Sequence, residues 1–166
     1  MIEIRRLDAG EAAAYREIRL QALALDPDAF GSTLAIEQDW PMARFEERVA
    51  STTVLGAFAG PRIVGMAGLY QPQGAKAAHK AVLWGVFVHP DARGQGIGQA
   101  LIQAAIAAAG PGVEQLTLDA ITDNQAAIRL YQRCGFTIYG VEQRALKAGG
   151  RYFDTALMAR RLGEQP

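Results

Sequence analysis

The chain has 166 residues, half of them hydrophobic, and its seventeen Lys and Arg balance seventeen Asp and Glu to a formal net charge of zero. That is enough for one domain with a substantial core, expected over residues 1–166, and the charge balance supplies no field for nonspecific nucleic-acid or anionic-membrane binding. The single cysteine, Cys134, excludes an internal disulfide, residues 1–6 lack a signal-peptide apolar run, and the Ala-rich stretch 101–109 falls far short of the roughly 20 residues of a membrane span; the expectation is a soluble, cytoplasmic protein.

Residues 2–7 alternate apolar and charged side chains, the period of a half-exposed strand. Asp8 and Glu11 have capping-box spacing, and Tyr15, Ile18, Ala22 and Leu25 recur at helical intervals until Asp26-Pro27 stops the run. Residues 28–38 begin with loop chemistry yet carry Phe30, Leu34 and Ile36, more apolar surface than a solvated loop needs, so this segment is expected to fold over something. Asp39 is placed to cap a second helix with Pro41 in its first turn and Met42, Phe45 and Val49 on its apolar face. Residues 53–59 and 62–70 read as a hairpin turning at Gly60-Pro61, and a polar loop leads on to Lys80.

Residues 81–88 carry no charge and suit a strand covered on both faces, which Pro90 ends. Arg93-Gly94-Gln95-Gly96-Ile97-Gly98 follows, then an apolar helix over residues 99–109 closed by Gly110-Pro111-Gly112. Three glycines at alternate positions let the backbone turn with no Cβ in the way and gather N–H groups at a helix start, a seat for phosphate. A dinucleotide fingerprint does not fit, because its third glycine falls on Gln99 or Leu101, and no Gly-Lys-Ser/Thr follows to make a P-loop. Residues 113–120 give a strand parallel to 81–88, since a whole helix separates them. Thr122-Asp123-Asn124 starts a helix that runs to Cys134, and residues 136–146 and 152–160 are two strands joined around Lys147-Ala148-Gly149-Gly150. The order βααβββαβαββ implies an α/β (α+β) fold: a mixed, largely antiparallel sheet with helices on both faces.

In the helix after residue 124, Asn124 and Tyr131 lie two turns apart on one face, roughly 10 Å by the helical rise. From the residues alone, Asn124 reads as an N-cap and Tyr131 as a core aromatic. No cluster of His, Cys and acid has metal-ligand spacing, so no metal is expected, and Cys134 has no histidine near it in sequence to activate it.

Arg93-x-x-Gly96-x-Gly98 after a Val-x-Val-x-Pro strand end resembles the acetyl-CoA pyrophosphate loop of the GNAT superfamily of N-acetyltransferases. Asn124-x-x-Ala127-x-x-Leu130-Tyr131-x-x-x-Gly135-Phe136 is similar to the second signature of that superfamily, and the element order is also its own, so the resemblance covers nearly the whole chain. It implies acetyl transfer from acetyl-CoA to an amine of a small molecule or peptide by direct attack. The main chain of Val86, Phe87 and Val88 would pair with the pantetheine arm, Arg93, Gly94, Gln95, Gly96, Ile97 and Gly98 would hold the pyrophosphate, Asn124 would contact the arm, and Tyr131 would be the acid for the departing thiol. Many relatives carry a glutamate on the central strand as base, but residues 81–88 contain no acid. Glu37 and Asp119 are the candidates in its place. A catalytically silent acyl-CoA-binding module of the same fold stays open as an alternative, as does a homodimer; nucleic acid and membrane are not expected partners.

Overall fold

The structure, a computed structural model, describes residues 1–163. Its elements run β1 (Ile2–Arg6), α1 (Ala12–Leu25), α2 (Leu34–Glu37), α3 (Met42–Ser51), β2 (Thr53–Ala59), β3 (Arg62–Tyr70), β4 (Lys80–Val88), α4 (Ile97–Ala108), β5 (Gln115–Ile121), α5 (Gln125–Arg133), β6 (Thr137–Ala148) and β7 (Arg151–Arg161). The strands form one sheet in the order β1-β2-β3-β4-β5-β7-β6, antiparallel throughout except for β4 with β5. The expected mixed, largely antiparallel class is therefore the class observed.

Local chemistry explains most boundaries. Asp8 and Glu11 make the capping box: Asp8 Oδ1 accepts from the Gly10 N–H at 2.8 Å and Glu11 Oε2 from the Asp8 N–H at 3.1 Å, opening a 3₁₀ turn that leads into α1. Such a cap contributes about 1 kcal/mol. The Asp39 cap is not made; Pro41 itself is the N-cap of α3, because its ring fixes φ at −64° in extended backbone and the helix starts one residue later, at Met42. Residues 26–38 fold as a 3₁₀ turn, Pro27–Ala29, and the short α2, capped by Thr33. The last hairpin is tighter than expected: its strands reach Ala148 and Arg151, and Gly149 and Gly150, at φ 58° and 77°, make a two-residue turn that other residues rarely accept.

The sheet separates two cores. One lies under α4 and α5, with Leu101, Ile102, Leu116, Leu118, Ile128 and Met158 fully or nearly buried; the other lies under α1 and α3, with Tyr15, Ile18, Phe45, Val49 and Phe58. Among the described residues no helix is long and apolar enough to cross a membrane.

β4 meets both cores and is irregular in a way that matters. Ala81 and Leu83 face the α4 side, and so do Val86 and Val88, although strict alternation would put residues 85 and 87 there. Gly85, at φ 63°, is the extra residue that resets the alternation: Gly68 pairs with Trp84, but Met66 pairs with Phe87. This is a bulge built on a glycine in a conformation that side chains resist. On the other edge, β4 pairs with β5 only from Lys80 to Val82, opposite Gln115 to Thr117. Beyond that point the two parallel strands part, and the rest of β4 turns an unpaired edge to the gap.

Candidate active site

Two features converge beyond that split. The first is the start of α4. Gly96 is its N-cap in the left-handed region (φ 76°, ψ 10°), and the first helical bond runs from the Ala100 N–H to the Gly96 carbonyl at 3.0 Å. The amides of Ile97, Gly98 and Gln99 thus precede the helical ladder and are the donors a helix start offers to an anion. Arg93 stands beside them. Its Nε donates to the Val88 carbonyl at 2.9 Å and its Nη2 to Asp26 Oδ2 at 2.7 Å, so one guanidinium ties the end of β4 to the segment after α1.

The second feature is a cleft of about 460 Å³ between the segment at Asp26 to Ala29 and the ends of β5 and α5, lined by Arg93, Asn124, Arg151 and Phe153 among others. Asn124 caps α5, its Oδ1 accepting from the Ala127 N–H at 3.2 Å, and lines this cleft at the same time. Arg93 and Asn124 therefore line one cleft, and the bond from Arg93 to the Val88 carbonyl sets the end of β4, with Val86, Phe87 and Val88, beside the start of α4 at residues 94–98. A long thin ligand with an anionic middle fits these groups: unpaired strand backbone for amides, helix N–H groups for phosphate.

Tyr131 sits on α5, half-buried, edge-on to Phe136 with ring centroids 6.1 Å apart, and packed against the core under α4. Burial, with a smaller push from Cys134, lifts its phenol well above the ordinary value of 10. It stays protonated across physiological pH and so has a proton to donate. Cys134 is itself buried, and burial raises its thiol, so it is not poised as a nucleophile.

The two carboxylates considered as bases lie elsewhere and apart. Glu37 is fully buried. Arg19 Nε and Nη2 each donate to it at 2.9 Å, and Arg48 Nη1 is 3.5 Å from Oε1. Burial alone raises a carboxyl; the hydrogen bonds and charge of Arg19, then the charge of Arg48, more than offset it and hold Glu37 below 4.5. Such a carboxylate is a poor proton acceptor, because taking a proton would break its ion pairs. Asp119 is exposed on β5 and lines a separate small cavity.

Some of this was hidden from the sequence. A lone glycine inside a strand pattern is a local sign of a bulge, so Gly85 was findable. The contacts of Arg93 with Asp26, 67 positions apart, and of Arg19 with Glu37 leave no local pattern.

Comparison with known proteins gives the family. The model of the acetyltransferase (GNAT) family matches residues 13–136. The chain is 32% identical over 116 residues to the N-alpha-acetyltransferase RimI of Mycobacterium tuberculosis (69% of this chain, 72% of that one) and 29% identical over 145 residues to the L-methionine sulfoximine/L-methionine sulfone acetyltransferase of Pseudomonas paraeruginosa (82% and 84%). It spans only 34% of an uncharacterised Mycobacterium leprae protein to which it is 32% identical over 126 residues, 75% of this chain. Among solved structures, yncA of Salmonella typhimurium, determined with its cofactor acetyl-CoA, superposes with a TM-score of 0.84 at 25% identity, covering 100% of this chain and 96% of that one. The chain belongs to the GNAT family of acetyltransferases, and its fold is the family's fold.

Proposed function

We propose that the chain transfers the acetyl group of acetyl-CoA to a primary amine by direct attack within one ternary complex. The observation that carries this reading is the parting of β4 from β5 after Val82, next to the glycine-bounded start of α4. Acetyl-CoA supplies an activated thioester. The unpaired backbone of Val86 to Val88 aligns its amide arm as an added strand, and the amides of Ile97 and Gly98 with Arg93 hold its pyrophosphate. A backbone N–H on that edge of β4 stabilises the carbonyl oxygen as negative charge develops. A carbon–nitrogen bond forms as the carbon–sulfur bond breaks, Tyr131 gives its proton to the departing sulfur, and the amine proton leaves to water in the open cleft. Neither Glu37 nor Asp119 is needed as a dedicated base in this scheme: Glu37 braces α2 against α1, and its partner Arg19 lies beside the Gly85 bulge, where a Cβ on Gly85 would stand 3.7 Å from Arg19 Nη1. The names of the relatives, one an N-alpha-acetyltransferase and one acting on amino-acid analogues, support an amine acceptor, small molecule or peptide.

The test is a screen of polyamines, amino acids, aminoglycosides and peptide N-termini with acetyl-CoA, monitored by free thiol. Release above the amine-free rate supports the reading. Saturable acetyl-CoA binding with no release for any amine points instead to a silent binding module.

A further inference from the structure

Next to the main cleft lies a smaller cavity of about 180 Å³ that shares Ala29 and Ile121 with it. Thr155 on β7 stands opposite Ile121 of β5 on one side and Glu142 of β6 on the other, and Asp119 is two residues before Ile121. Directly opposed residues, and residues two apart, share a face of a sheet. Asp119, Thr155 and Glu142 thus come from three adjacent strands to one face, and all three line the cavity, with no basic side chain in its wall.

Two details mark it as more than a surface dimple. Thr155 is only 6% exposed, and its Oγ1 is buried without a hydrogen-bond partner. A buried hydroxyl left unpaired costs about 1–3 kcal/mol, so it is conspicuous unless something meets it. The wall is also shaped by strain: between Glu142 and Leu146 the pairing of β6 shifts, and Arg144 adopts φ 54°. A side chain in that region costs roughly 1–2 kcal/mol. The Arg144 N–H donating to Asp154 Oδ1 at 2.8 Å, and its guanidinium 3.7 Å from the Tyr152 ring centroid, hold it there. The consequence is that Ala145 and Leu146 reach the cavity wall.

Resting on the acetyl-transfer reading, we propose that this cavity is a subsite for a second cationic nitrogen of the acceptor, a primary ammonium other than the one acetylated. An ammonium carries three N–H donors and no acceptor; the cavity offers oxygens from Asp119, Glu142 and Thr155 and apolar walls at Ile121 and Leu146 for the methylenes. Asp119 and Glu142 do not line the larger cleft with Arg93 and Asn124, so the subsite lies beside that cleft, with Ala29 and Ile121 in both walls.

The experiment compares 1,4-diaminobutane with n-butylamine as acceptors for acetyl-CoA, using the whole chain and the variants Glu142→Gln and Thr155→Val. The wild-type kcat/KM for the diamine should exceed that for the monoamine by about tenfold or more, as expected of a charge-assisted hydrogen bond, and Glu142→Gln should bring the ratio toward one, mainly through the KM for the diamine. Thr155→Val should also lower the ratio, without loss of thermal stability, since it removes an unpaired hydroxyl. Equal kcat/KM for the two amines, or a ratio unmoved by Glu142→Gln, overturns the subsite while leaving acetyl transfer intact. If neither amine is turned over, calorimetric binding of 1,4-diaminobutane decides: saturable binding weakened by Glu142→Gln supports the subsite, and no binding overturns it.

Discussion

Arg19 and Glu37 meet in a two-point ion pair, Nε to Oε2 and Nη2 to Oε1 both at 2.9 Å, with only 7% of the Arg19 side chain and none of the Glu37 side chain exposed. A carboxylate held this way is a strut. Removing one partner of a buried pair strands the other charge, at a cost of about 3–5 kcal/mol. Glu37→Gln should therefore lower unfolding stability by that order in urea titration at pH 7, while the shape of the pH–rate profile at permissive temperature stays that of wild type. The sign of the pH dependence follows from the lowered carboxyl: the pair's stabilisation is present above pH 4.5 and is lost as pH falls through the lower folded value. The difference between wild type and variant should shrink accordingly on acidification.

Tyr131 is tested by removing its hydroxyl alone. Tyr131→Phe keeps the edge contact with Phe136 and deletes the proton donor. Turnover should fall about 10- to 10⁴-fold with little change in acetyl-CoA affinity by calorimetry. Wild-type turnover in the variant contradicts the acid role.

In the proposed acetyl-CoA complex Arg93 exchanges Asp26 for a phosphate. The pair is half-exposed, so its own contribution to stability is small. Arg93→Gln should weaken CoA binding about tenfold at low ionic strength and reduce its salt dependence, because one charge has gone from the pyrophosphate seat. Equal affinity and an unchanged salt slope would remove Arg93 from that seat.

The absence of an acid on residues 81–88 of β4 has a pH signature. An alkyl amine with an ordinary pKa near 10.4 is mostly protonated at neutrality, and only its neutral form attacks. The kcat/KM for such an acceptor should rise through the alkaline range, roughly tenfold per pH unit below the amine pKa, and neither Glu37→Gln nor Asp119→Asn should abolish it. A profile flat from neutrality with near-total loss of kcat in one variant would reveal a dedicated base.

The strands at 53–59 and 62–70 were legible to the residue, because apolar runs bounded by turn chemistry are a local property. The glycine-bounded start of α4 was legible for the same reason, since Gly94, Gly96 and Gly98 are close neighbours in sequence. What was not legible depends on the chain meeting itself. Glu37 looks like a loop carboxylate until α2 folds it onto Arg19, and Thr155 looks like an ordinary strand residue until β5 and β6 flank it. Asp39 failed as a cap because Pro41, two residues on, already sets the helix entry.

The most direct check is calorimetric titration of CoA against the wild type and Gly96→Asp. At φ 76° Gly96 has open space around its Cβ position, so aspartate can be accommodated with modest backbone strain while placing a negative charge at the start of α4. Saturable binding to the wild type, weakened at least about tenfold in the variant with its unfolding still cooperative, is the predicted result. Equal affinity in the two proteins would contradict the placement of the pyrophosphate at this helix start, and with it the reading of the β4–β5 split as the acetyl-CoA site.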